Sequence, residues 1–169
     1  MNAAGRSAVT LGVLGLLVVV AALWGWSALT APFPEQEEPP PCVDREVAAG
    51  DKLFRDQVTV SVYNASRRSG LAGATSAQLE ERGFHVAGTG NAPRGTRVRA
   101  VEIWAADARH PAVKLVRSQL NRTARVVEGE DIGAGVVLIL GDGFGGLAKG
   151  RESVRVRRDT TVCGPAEES

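Results

Sequence analysis

The chain has 169 residues, 44% hydrophobic and 23% charged, with a formal net charge of +1 at pH 7. That length holds one domain with flanking segments, and the hydrophobic share excludes a wholly disordered chain. Near-neutral charge excludes the basic footprint of a nucleic-acid binder, and two cysteines exclude a disulfide-dense scaffold or a four-cysteine zinc site.

Residues 9–29, VTLGVLGLLVVVAALWGWSAL, run for 21 positions without a charge. At about 1.5 Å per residue such a helix reaches roughly 31 Å, enough to cross a bilayer core. Arg6 precedes the run and the acidic, proline-rich APFPEQEEPPP follows it. That asymmetry predicts a cytoplasmic N-terminus over residues 1–8 and an extracytoplasmic remainder. Trp24 and Trp26 lie toward the outer end, where indoles favour the headgroup boundary. The run exceeds a secretory apolar region. A cut after Ala31 would place Leu29 and Pro32 at positions unfavourable to cleavage, and no cysteine closes the run for lipid attachment. A retained, single-pass signal-anchor in the cell membrane is therefore expected.

Arginine outnumbers lysine by 17 to 3, a usage typical of a GC-rich bacterial genome. Residues 30–57 carry 7 acids and 3 bases, residues 58–140 carry 11 bases and 7 acids, and residues 141–169 carry 5 of each. The 30–57 segment is expected to be an acidic linker, its prolines extending it away from the membrane; a short helix over 46–54 is a weaker expectation. Cys42 and Cys163 bracket the region beyond, and in an exported domain they are candidates for a disulfide; two free thiols are the alternative.

Val58, Val60 and Val62 alternate with polar residues as in a half-buried strand. A loop over 64–70 leads to a helix bearing Leu71, Ala72, Thr75 and Leu79 on one side. Gly83 suits the left-handed position after that helix, with Phe84 packing back on Leu79, the ending of a Schellman motif. A second strand opens at 84–86. The pattern then repeats: a strand over 98–104, a loop over 105–111, a helix with Ala112, Leu115, Val116 and Leu120 in its stripe and Pro111 in its first turn, a stop at Asn121, and a strand over 124–127. Two strand–helix–strand units predict an α/β fold, a two-layer α+β sandwich of the ferredoxin-like β-α-β-β-α-β type. The continuous apolar run 136–140 adds a central strand. Residues 145–169 form an extension with an edge strand ending near Cys163, its Arg155, Arg157 and Arg158 discouraging further pairing.

The run VTVSVYNASRRSGLAGATSAQLEERGFHVAGTGNA resembles the LytR C-terminal domain family. The resemblance rests on a strand ending in Asn64, Gly70-Leu71-Ala72 opening a helix, Leu79, Gly83-Phe84 and Asn91-Ala92, and the closing VVLILGD. It spans residues 58–144, and Ala65 stands where family members often carry glycine. Such domains often follow a catalytic domain that transfers wall polymers to peptidoglycan, for which 169 residues leave no room. The resemblance therefore implies a stand-alone envelope module of anchor, spacer and accessory domain, with no catalytic residues to carry over.

Among motifs, Gly141–Gly146 formally fits a dinucleotide-binding glycine pattern, but it lacks the following helix and acid, so a post-strand turn is expected. Asn64, Arg67, Arg68, Ser69 and Gly70 join a strand end to a helix start, where free N–H groups favour an anion and arginines add charge-assisted bonds. The competing reading is structural: Asn64 holds the turn, Ser69 caps the helix and the arginines are solvated. His85 is expected to face solvent and His110 to sit in the loop before Pro111; neither has metal-ligand spacing. Trp104 is expected in the core rather than as a sugar platform. The expectation is a non-enzymatic envelope module without cofactor or metal, binding an anionic glycopolymer or peptidoglycan, or else docking on a separate wall-assembly protein.

Overall fold

The computed structural model describes residues 3–30, 42–121 and 124–166, and the chain divides into two units, Met1–Glu38 and Pro39–Ser169. In the first unit, α1 (Ala3–Thr30) contains no proline and no amphipathic stripe. Its side chains at 12–26 are all exposed, Trp24 to 82%. Among the described residues no helix is long and apolar enough to cross a membrane. The proline spacer at 32–41 and the cleavage position at Ala31 lie outside the described residues.

The second unit begins differently from expectation. Residues 43–57 are not a linker and form no helix over 46–54. They make β1 (Val43–Val47), β2 (Lys52–Phe54) and one 3-10 turn, Arg55–Gln57. Val43, Arg45 and Val47 are half-buried while Asp44 and Glu46 are exposed, a period of two that suits a strand. Gly50, at φ +100°, makes the turn between β1 and β2.

Next come β3 (Thr59–Asn64), α2 (Leu71–Glu81), β4 (His85–Asn91), β5 (Val101–Trp104), α3 (Pro111–Ser118), β6 (Arg125–Val127), β7 (Val136–Leu140), β8 (Ser153–Arg155) and β9 (Thr160–Gly164). Five strands make the main sheet in the order β4-β3-β7-β5-β6. β3 is parallel to β4 and to β7, β5 is parallel to β6, and β5 meets β7 antiparallel. In each strand–helix–strand unit the two strands are neighbours, so neither unit is split and the ferredoxin-like order is not formed. The cause lies in β7. Its five residues are buried on both faces, so it occupies the middle of the sheet, between the units, and leaves each unit to pair with itself.

Because the two units run in opposite directions from the centre, right-handed crossovers place α2 and α3 on the same face. The main core lies there, with Val60, Val62, Ile103, Leu138 and Leu140 beneath Leu79, Leu115 and Val116. The opposite face carries a smaller cluster of Val98, Val137 and Ile139, with Tyr63, Trp104 and Ile132 against it. α2 ends in the anticipated Schellman motif. Phe84 N–H donates to Leu79 O at 3.0 Å, Gly83 N–H to Glu80 O at 2.8 Å, and Gly83 sits at φ +88°.

The C-terminal extension is not an edge of the main sheet. It breaks into two strands, β8 antiparallel to β2 and β9 antiparallel to β1. Cys42 and Cys163 are joined in a disulfide with Cα atoms 5.5 Å apart. Between β7 and β8 the chain is pinned over the helix ends. Ala148 N–H donates to Gln119 O at 2.7 Å, and the fully buried Gln119 side chain donates to Arg151 O at 2.8 Å.

Candidate functional site

The predicted anion loop lies where β3 and β7 end side by side, with Asn64 paired to Leu140. Asn64 spends its side chain on the loop itself. Its Oδ1 accepts Ser66 N–H at 2.9 Å and Ser66 O–H at 2.7 Å, and its Nδ2 donates to Arg68 O at 2.8 Å. Arg68 Nη1 donates to Phe144 O at 2.8 Å. Ser69 makes no cap; Gly70, at φ +73°, holds the N-cap position of α2 without any side-chain bond.

Arg67 faces a carboxylate from the same chain. Its backbone N–H donates to Asp142 Oδ1 at 2.9 Å and its Nε lies 3.3 Å from Asp142 Oδ2. That hydrogen bond, with the charges of Arg67 and Arg68, holds the Asp142 carboxyl below its ordinary pKa. The loop is thus supplied with an anion of its own, and the Arg67 side chain is 92% exposed. The structure brings all five predicted residues into one loop and adds Asp142, which sequence reasoning had placed only in a glycine-rich turn. That turn opens no helix, and Gly141 is there because its backbone presses on Val98: a Cβ would lie 1.9 Å from Val98 O.

At the opposite end of the sheet a cleft of about 420 Å³ is lined by Thr59, Trp104, His110, Val113, Thr161 and Cys163, among others. His110 precedes the first residue of α3, and its Nε2 lies 3.0 Å from Thr161 O. Trp104 is half-buried and packs against the smaller hydrophobic cluster, with Gly129 so close to its indole that a Cβ there would fall 2.3 Å from Cδ2. The Thr59 hydroxyl is buried and unpartnered. His85 is exposed. Among the described residues no group of three or more His, Cys, Asp or Glu could hold a metal ion.

Residues 57–144 match the family described as the LytR cell envelope-related transcriptional attenuator. They run from the turn before β3 to the residue whose carbonyl holds Arg68, so the matched stretch contains both halves of the Arg67–Asp142 contact. A solved structure, the soluble domain of a conserved hypothetical secreted protein from Mycobacterium marinum, is similar at 24% identity and a TM-score of 0.45, over 60% of this chain and 68% of that one. No curated protein matches the chain. With the family pattern covering more than half of its residues, the chain belongs to the LytR C-terminal, cell-envelope-related family.

Proposed function

We propose that this protein is a non-catalytic module of the cell envelope, held in the membrane through the uncharged run 9–29 with its folded unit outside. There it binds a wall component, an anionic glycopolymer or peptidoglycan. The observation that carries the reading is the position of the family segment. It lies within a unit closed by the Cys42–Cys163 disulfide and is preceded in sequence by the uncharged run 9–29. Disulfides persist in oxidising, exported compartments. A sequence run without charge on any side suits lipid, and Arg6 on its N-terminal side orients it with that end in the cytoplasm. Family membership ties the folded unit to the envelope.

Within the unit, the 64–70 loop supports a shaping role more than an anion site, since Asn64 and Arg68 are engaged internally and Asp142 takes the Arg67 amide. The test is co-sedimentation of the full chain, in a zwitterionic detergent, with isolated walls before and after their covalently attached polymers are stripped. Retention lost on stripping identifies a glycopolymer, and retention that survives identifies peptidoglycan. Failure to sediment with either preparation would overturn the reading.

A further inference from the structure

We propose that the groove between α3 and the C-terminal segment binds a linear polyanion of repeating phosphate groups. This rests on the extracytoplasmic reading above and gives it a surface and a ligand class. The apolar side of α3 is buried through Ala112, Val113, Leu115 and Val116. Its outer side presents Lys114 and Arg117, three residues apart and therefore neighbours on the helix surface. Facing them is the segment through β8, in which Val154 and Val156 are buried while Arg155 and Arg157 are exposed, an alternation that sets the guanidinium groups on the solvent side.

Two hollows run along this seam, of about 600 Å³ and about 140 Å³, and they share Lys114, Arg155 and Arg157. Arg151 extends the larger, and Arg109 and Arg158 line the smaller. Among the described residues none of these cations is paired with a carboxylate; Arg155 gives one bond, to Gly50 O at 2.9 Å. Asp107 is the one acid lining either hollow, and its Oδ1 already accepts Arg109 N–H at 2.7 Å. Asp159, beside Arg158, accepts Ala49 N–H at 2.7 Å. Gathering like charges without partners raises self-repulsion in the folded state, which a bound anion relieves.

The shape and chemistry of the hollows select the occupant. A concave seam admits a thin chain, whereas a flat bilayer would reach only its rims. Among the described residues of the second unit, Phe54 is the exposed large hydrophobic, and it lines neither hollow, so the surface lacks the apolar anchor of a membrane-binding face. No Trp, Tyr or Phe lines either hollow, which leaves no platform for stacking nucleobases. All but one of the cations are arginines, whose planar fork matches phosphate oxygens. The family match ends at residue 144, so Arg151, Arg155, Arg157 and Arg158 lie beyond it: the groove is built jointly by the family domain and this chain's own extension.

The test titrates the full chain, in zwitterionic detergent, with a poly(glycerol phosphate) oligomer of defined length. Affinity should fall about tenfold or more between about 50 and about 200 mM salt. The charge reversal R117E/R157E should weaken binding about tenfold at low salt while leaving the thermal melt in place. The reversal R94E/R97E, an equal charge change on the loop over the other sheet face, should alter it by less than about twofold. Equal losses in both variants would reduce the effect to overall charge and overturn the proposal. Absence of oligomer binding would overturn it too, as would binding to phosphatidylglycerol vesicles in place of the oligomer. Wall retention without oligomer binding would refute the groove alone. Oligomer binding sensitive to R117E/R157E, without wall retention, would refute the wall reading alone.

Discussion

Arg67 and Asp142 are 75 positions apart, yet the backbone N–H of the first donates to the carboxylate of the second at 2.9 Å. The parallel pairing of β3 with β7 makes this possible, because it brings the two strand ends together and the loop that follows each one into contact. The contact ties the segment entering α2 to the segment leaving the sheet.

Asp142 is held below its ordinary pKa, chiefly by the Arg67 N–H and then by the neighbouring arginine charges. A carboxylate depressed in the folded state contributes stability that is present above its unfolded pKa. That contribution is lost as pH falls through the lower, folded value. The Arg67 amide resonance should therefore titrate with a midpoint below that of an unperturbed aspartate. In Asp142→Ala the acid transition should vanish and Arg67 amide exchange should quicken. An Arg67 amide whose pH profile is the same in both proteins would refute the contact.

Two glycines should respond to alanine by different amounts, for different reasons. Gly83 has open space around a would-be Cβ but sits at φ +88°, so Gly83→Ala should cost about 1–2 kcal/mol of left-handed backbone strain. Gly141 has no unusual φ, but a Cβ would lie 1.9 Å from Val98 O and 2.6 Å from Val98 C. Backbone cannot yield as a flexible side chain does, so Gly141→Ala should cost about 3 kcal/mol or more. Urea denaturation of the two variants checks the order; equal losses, or a larger one at Gly83, would contradict it.

These contrasts mark how far the sequence was legible. The end of α2 is written locally: Gly83 and Phe84 act within six residues of Leu79, so the Schellman bonds could be anticipated. The central place of β7 was equally visible, since an uninterrupted apolar run needs cover on both faces. The ferredoxin-like order was not decidable, because the same succession of strands and helices serves split and unsplit units; the difference is where β7 inserts. The 43–54 region misled for another reason. Its strands are short and half charged, and their partners in β8 and β9 lie about a hundred residues away. The loop after Asn64 does join β3 to α2, but the Asp142 carboxylate beside it is hidden in the sequence by a similar distance. In the sequence the arginines of the extension read as an edge defence, because the face of α3 that confronts them follows only from the fold.

The final prediction concerns the seam that closes the unit. β1 and β9 pair over five positions, from Val43↔Gly164 to Val47↔Thr160, and the disulfide joins Cys42 to Cys163 at one end of that ladder. A two-stranded ribbon of this length is marginal by itself. The bridge spans a sequence separation of 121 residues, for which constraint of the unfolded chain is worth about 2–5 kcal/mol. Cys42→Ser with Cys163→Ser should therefore lower the thermal midpoint, and reducing agent should destabilise the wild type but leave the double variant unmoved. Hydrogen exchange should show the loss concentrated in β1 and β9, whereas β3 and β7, buried in the main sheet, keep their protection. Uniform loss of protection across all four strands would mean that the ribbon and the sheet unfold as one cooperative unit. A wild-type melt unaffected by reductant would mean that the ladder holds the ends without the bridge.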